Sequence, residues 1–120
     1  MPLTRNFKET IQARIKKDPA FRDALLKEGV ECLLSGDLET GKTILRDYIN
    51  ATLGFEELSN LTQKPAKSLM RMFGPKGNPR ARNLFQVIER LQTTGGIRLE
   101  LQTIHTQIKR ASVERYVHHS

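Results

Sequence analysis

Apolar residues recur along this chain at helical spacing, in runs set off by proline, glycine and capping residues. Phe7, Ile11 and Ile15 fall every four residues after Asn6-Phe7-Lys8-Glu9, a capping-box pattern that predicts a first helix to about Lys17. Asp18-Pro19 restarts the chain, because Asp caps and proline suits the first helical position. Phe21, Leu25, Val30, Leu33 and Leu34 then carry a second helix to Ser35, with Gly29 marking a close helix contact. Gly36 ends it, and Asp37 caps a third helix from about Leu38 to Thr52, with Leu38, Leu45, Tyr48 and Ile49 inward.

Gly54 closes that helix, and Phe55 to Leu61 predicts a fourth of about two turns, too short to stand alone and held by Leu58 and Leu61. Gln63-Lys64-Pro65 breaks it, since a residue before proline is steered out of the helical region. Pro65 to Phe73 predicts a fifth helix with Leu69, Met72 and Phe73 inward and Ala66, Lys67, Met70 and Arg71 outward. Gly74-Pro75-Lys76-Gly77 is a turn, and Asn78-Pro79 launches a sixth helix to about Leu91 on Leu84, Val87, Ile88 and Leu91. After Thr94-Gly95-Gly96, the run from Ile97 to Gln102 alternates apolar and polar, the one strand pattern in the chain. A lone strand seeks a partner, so Ile97, Leu99 and Leu101 are expected to pair with a second copy or another protein. Residues 103–120 are polar, with Ile104, Ile108, Val113 and Val117 at three-to-five spacing, and read as a marginally ordered arm.

The expected fold is all-α: one compact bundle of about six helices with a C-terminal strand used in dimerisation. Residues 1–54 support the core, 55–96 carry a helix-turn-helix, and 97–120 form the strand and arm. A length of 120 residues suits one domain. No apolar run is long enough to span a membrane and the N-terminus lacks the apolar core of a signal peptide, which implies a cytoplasmic chain. Cys32, the only cysteine, reads as a small apolar residue on a helix face rather than a nucleophile.

Charge changes the picture. Residues 1–57 carry 10 acids and 9 bases, a net of −1, while residues 58–120 carry 3 acids and 11 bases, a net of +8. From Leu58 to Ile88 there is no Asp or Glu, yet Lys64, Lys67, Arg71, Lys76, Arg80 and Arg82 all fall inside. A helix–break–helix with a purely cationic outer face points to a polyanion, most often nucleic acid.

Phe55–Leu91, with its loop Gly74-Pro75-Lys76-Gly77-Asn78-Pro79, resembles the helix-turn-helix of the lambda Cro and repressor superfamily. The run DYINATLGFEELSNLTQKPAKSLMRMFGPKGNPRARNLFQVIERL, with TRNFKETIQARIKKDPAF and LLSGDLETGKTILRDYINAT before it, is closer still to bacterial addiction-module antidote proteins, the antitoxin members of that superfamily. The likeness covers about residues 3–101. It implies a homodimeric repressor on a palindromic double-stranded DNA operator, with a cognate toxin as partner and no cofactor. It assigns base reading to Ala66, Lys67, Met70 and Arg71, whose side chains suit guanine acceptors or a thymine methyl. Lys64, Ser68, Lys76 and Arg80 suit phosphate contacts. Two positions depart from the pattern: Gln63 stands where the turn usually has glycine, and Lys64 where it has a small apolar residue.

Two other functions fit parts of the sequence. Gly36 to Thr43, GDLETGKT, spells a phosphate-binding P-loop, which would make the chain a nucleotide-binding enzyme. A P-loop follows a buried strand, however, whereas ECLLS continues a helical pattern. The basic face would alternatively serve a protein-interaction module with an acidic partner. His105, His118 and His119 make no metal set of recognised spacing, and Glu56-Glu57 and Asp37-Glu39 sit where helix starts favour acids.

Overall fold

The computed structural model describes the backbone of residues 2–106 and the side chains of residues 9–106. Six α-helices follow one another: α1 (Pro2–Lys17), α2 (Pro19–Leu34), α3 (Leu38–Ala51), α4 (Gly54–Thr62), α5 (Ala66–Met72) and α6 (Ala81–Gly95). Among the described residues there is no strand, and residues 97–106 run on from α6 without regular secondary structure. No helix of the described residues is long and apolar enough to cross a membrane.

Side-chain caps account for two of the helix starts. Asp18 Oδ1 accepts from the Phe21 amide at 3.1 Å and Asp37 Oδ1 from the Thr40 amide at 3.3 Å, as the cap patterns predict. Two starts differ. Helix α1 opens at Pro2, so Asn6 lies inside it rather than at its cap; the Phe7 side chain falls outside the described ones. Helix α6 opens at Ala81 with an extended Arg80 before it, and the half-buried Pro79 lines a cleft together with Leu33, Leu38 and Leu84. Gly96, left-handed at φ 70°, ends α6, and the Ile97 amide returns to the Gln92 carbonyl at 3.0 Å.

One core runs through the whole bundle. Leu26, Leu45, Tyr48, Ile49, Phe55, Leu58, Leu69, Phe73, Val87 and Leu91 form a single buried cluster, so residues 1–54 and 55–96 share it. Each fully buried aliphatic side chain contributes roughly 1.5–3 kcal/mol. The inward residues of α3, α4, α5 and α6 are mostly those predicted, though Leu61, Met72 and Leu84 are only half-buried.

Helix α2 departs from expectation. Leu26, not Leu25, is the fully buried leucine, while Leu34 is 60% exposed and Leu38, at the start of α3, 50% exposed. Apolar residues lie nearly all round α2, so its own pattern does not select a face. The face is selected by the crossing with α3, where Gly29 and Gly41 let the helices approach closely.

The alternation at 97–101 is used partly within the chain. Ile97 and Leu99 pack against the helical core, and the Leu99 amide donates to Gln92 Oε1 at 2.8 Å. Leu101 stands 85% exposed and Ile104 72% exposed. Without a neighbouring strand in the single chain, the segment has no ladder to join.

Candidate nucleic-acid interface

Helices α4 and α5 are joined by residues 63–65 alone. Leu58 of α4 and Leu69 of α5 are fully buried, and the rings of Phe55 and Phe73 meet with centroids 6.3 Å apart, tilted by 51°. These contacts hold a seven-residue helix that could not persist by itself.

The connection turns on Gln63, the one non-glycine residue with positive φ among those described, at φ 58° and ψ 36°. Left-handed backbone costs a residue with a Cβ about 1–2 kcal/mol. Local hydrogen bonds offset part of this: the Gln63 amide donates to the Ser59 carbonyl at 2.9 Å, and Gln63 Nε2 to the Asn60 carbonyl at 2.9 Å. Ser59 Oγ donates to the Lys64 carbonyl across the turn. Pro65 follows in an extended conformation (ψ 140°), and α5 begins one residue later than predicted.

The side chains expected to meet DNA bases divide. Lys67, Met70 and Arg71 are exposed on α5, with Met70 at 51%, whereas Ala66 is half-buried against the core. Among the expected phosphate contacts, Ser68, Lys76 and Arg80 are exposed and Lys64 is half-buried. No ion pair engages Lys64, Lys67, Arg71, Lys76, Arg80 or Arg82 among the described residues. The result is an uncompensated cationic surface on α5 and the loop that follows it.

That loop folds back on α5. A Cβ on Gly77 would collide with the carbonyl oxygens of Arg71 and Met72, 2.7 Å from the latter, so only glycine permits the approach. The loop is also fastened from the far side. Lys42 of α3 is buried, 4% exposed, and its Nζ donates to the carbonyls of Gly74 at 3.1 Å and Gly77 at 2.9 Å. Glu39 Oε2 lies 3.2 Å away and gives the ammonium its third partner. Sequence reasoning did not foresee this role; a lysine carries no local signal of burial, and the GKT spelling pointed elsewhere. The segment that spells a P-loop is the α2–α3 connection and the start of α3, with a helix and not a strand before it.

The remaining polar groups are quiet. Partial burial, with Asp37, Glu28 and Glu31 nearby, pushes the Cys32 thiol above its ordinary range and disfavours the thiolate. No group of His, Cys, Asp and Glu among the described residues could hold a metal ion. His105 is exposed, and His118 and His119 lie outside the described residues. A cleft of about 340 Å³ between α1, α2, α3 and α6 is lined by Lys16, Arg22, Tyr48, Thr52, Leu91 and Thr94.

Comparison of the chain with protein-family models, curated proteins and solved structures gives no match in any of the three.

Proposed function

We propose that this protein is a sequence-specific DNA-binding regulator in which α4, the 63–65 turn and α5 form a helix-turn-helix and α5 is the recognition helix. The observation that carries this reading is the exposed, acid-free face of α5 and its loop, where Lys67, Arg71, Lys76 and Arg80 stand without ion-pair partners. A three-residue connection between a supporting helix and a short exposed helix fits the docking geometry of that motif. In this reading Lys67 and Arg71 donate to guanine edges, Met70 meets a thymine methyl, and Ala66 contributes close approach at the start of the helix. Ser68, Lys76 and Arg80 hold phosphates, and the half-buried Lys64 is the weakest of that group.

The chain acts as a homodimer, with the exposed end of the 97–102 segment pairing across a two-fold axis. The two recognition helices then read half-sites about one DNA turn apart. In this reading, which the sequence resemblance to antidote proteins supports, it is the antitoxin of a toxin–antitoxin pair, repressing its own operon in the cytoplasm without a cofactor. Competition gel shifts with the DNA upstream of its own gene test the reading. Specific binding abolished by Lys67→Ala with Arg71→Ala supports it, and binding that survives both substitutions refutes the assignment of α5. Co-purification with the product of the adjacent gene tests the antitoxin role.

A further inference from the structure

We propose that Lys42 is a positioning residue for DNA reading: its buried ammonium fixes the C-terminal end of α5 and the loop that presents Lys76. The inference rests on the DNA-binding role proposed above. It starts from how little else holds the loop beyond Phe73, whose ring is itself buried in the core. At the N-terminal end, the helix is located by the turn, through the Ser59–Lys64 hydrogen bond and Pro65. Its middle is held by Leu69 in the core. At the C-terminal end, residues 74–80 carry no regular structure, and Gly74 and Pro75 give the loop little of its own packing.

Lys42 supplies the missing anchor. Its two bonds, to the Gly74 and Gly77 carbonyls, bracket Pro75 and Lys76 and tie them to α3, the central helix of the bundle. The positive charge also lies where the C-terminal end of α5 is partially negative, the favourable sense for a helix dipole. Glu39, 3.2 Å away, orients the ammonium from the α3 side. The arrangement is saturated: Lys42 has three donors and three acceptors. It therefore does not reach a phosphate itself; it acts through the loop and through Arg71, whose carbonyl Gly77 overlies.

Loss of the ammonium should free the loop more than it unfolds the bundle. The test compares the full-length protein with Lys42→Met and Lys42→Gln on the DNA upstream of its own gene, at a temperature where circular dichroism shows all of them folded. Val87→Ala is the control, a core substitution on α6 that leaves the loop and its Lys42 bonds intact. We expect Lys42→Met to bind at least about tenfold more weakly, with a salt dependence reduced by about one ion as the Lys76 contact is lost. Amide exchange at residues 71–77 should quicken. Lys42→Gln keeps a donor for one carbonyl and should lie between. Val87→Ala should retain wild-type affinity once folded. If Lys42→Met does not fold, Gly77→Ala perturbs the same loop with Lys42 in place and should show the same loss of affinity and salt dependence. Affinity within twofold of wild type, an unchanged salt slope, or an equal loss in Val87→Ala overturns the inference. Wild-type protein that binds no DNA overturns the function and the inference together. Binding that falls in Lys67→Ala with Arg71→Ala but not in Lys42→Met overturns the inference alone.

Discussion

Gly29 and Gly41 face one another where α2 crosses α3: a Cβ on Gly41 would stand 3.1 Å from the Gly29 carbonyl oxygen and 2.7 Å from Leu33 Cδ2. Gly41 is thus a packing glycine, where its spelling in GDLETGKT suggests a phosphate cradle. Leu33 can shift its side chain, but the carbonyl belongs to a rigid helix. We predict that Gly41→Ala lowers stability by about 1 kcal/mol, the helix-propensity gain offsetting part of the overpacking, and Gly41→Val by about 3 kcal/mol. Urea denaturation measures both, and wild-type stability in Gly41→Val would show that the crossing is looser than drawn.

The α4–α5 turn makes an opposite prediction. Gln63 holds φ 58° with only side-chain and backbone bonds to Asn60 and Ser59 in compensation. Gln63→Gly should raise stability by about 1 kcal/mol, and Gln63→Val should lower it by about 1–2 kcal/mol, because a β-branched residue is a poor occupant of left-handed backbone. Thermal melts of the three proteins give the order directly. A stabilised valine variant would place the turn in another conformation.

How far the sequence foretold this structure depends on whether the deciding contact was local. The caps at Asp18 and Asp37 and the strain at Gln63 are set by neighbours within a few residues, and they are visible in the sequence. The face of α2 is not, because Ala20, Phe21, Ala24, Leu25, Leu26, Val30, Cys32, Leu33 and Leu34 together ring the helix, and the crossing of Gly29 with Gly41 of α3 decides among them. The same holds for the start of α6, where Pro79 lines a cleft with the sequence-distant Leu38 and with Leu84, and the helix opens only at Ala81. At the candidate interface, the cationic face was legible as charge without acids. The Lys42 clamp was not, since it joins residues 32 and 35 positions apart.

On DNA, base and phosphate contacts should separate experimentally. Arg71→Ala is expected to cost about 1–3 kcal/mol on the best site and to relax the preference at one base position. Lys76→Ala should weaken all sequences alike and reduce the salt slope by about one. Affinity measurements over a randomised site at two or more salt concentrations distinguish the two patterns. If Lys76→Ala changes sequence preference instead, the loop is reading bases.

Alkaline pH should expose the buried tyrosine. Burial is the main cause that raises the Tyr48 hydroxyl above its ordinary pKa of 10.0; Asp23 adds to the rise and Arg22 opposes it. The folded pKa is the higher one, so this contribution to stability is present below the unfolded value and is lost as pH rises through the folded value. Stability of the wild-type protein should therefore decline above about pH 10, and Tyr48→Phe should flatten that decline. Denaturation at pH 8 and pH 11 measures it, and equal losses in the two proteins would assign the effect to other groups.

Deletion cannot separate the packing of the C-terminal segment on the core from the dimer contact proposed for it. Removing residues 97–120 would take away Ile97 and Leu99, which pack on the core, together with Leu101, which does not. Deletion therefore removes core packing and the proposed dimer contact at once. Point substitutions are cleaner. Leu101→Asp removes an 85% exposed leucine, so stability of the isolated chain should change by less than about 0.5 kcal/mol, while a dimer built on the segment loses its apolar contact and gains a charge. Ile97→Asp should instead destabilise the fold by about 2–4 kcal/mol, because it places a carboxylate against the core. Sedimentation equilibrium on Leu101→Asp decides the interface: a folded monomer assigns dimerisation to the segment, and an intact dimer moves it to another surface of the bundle.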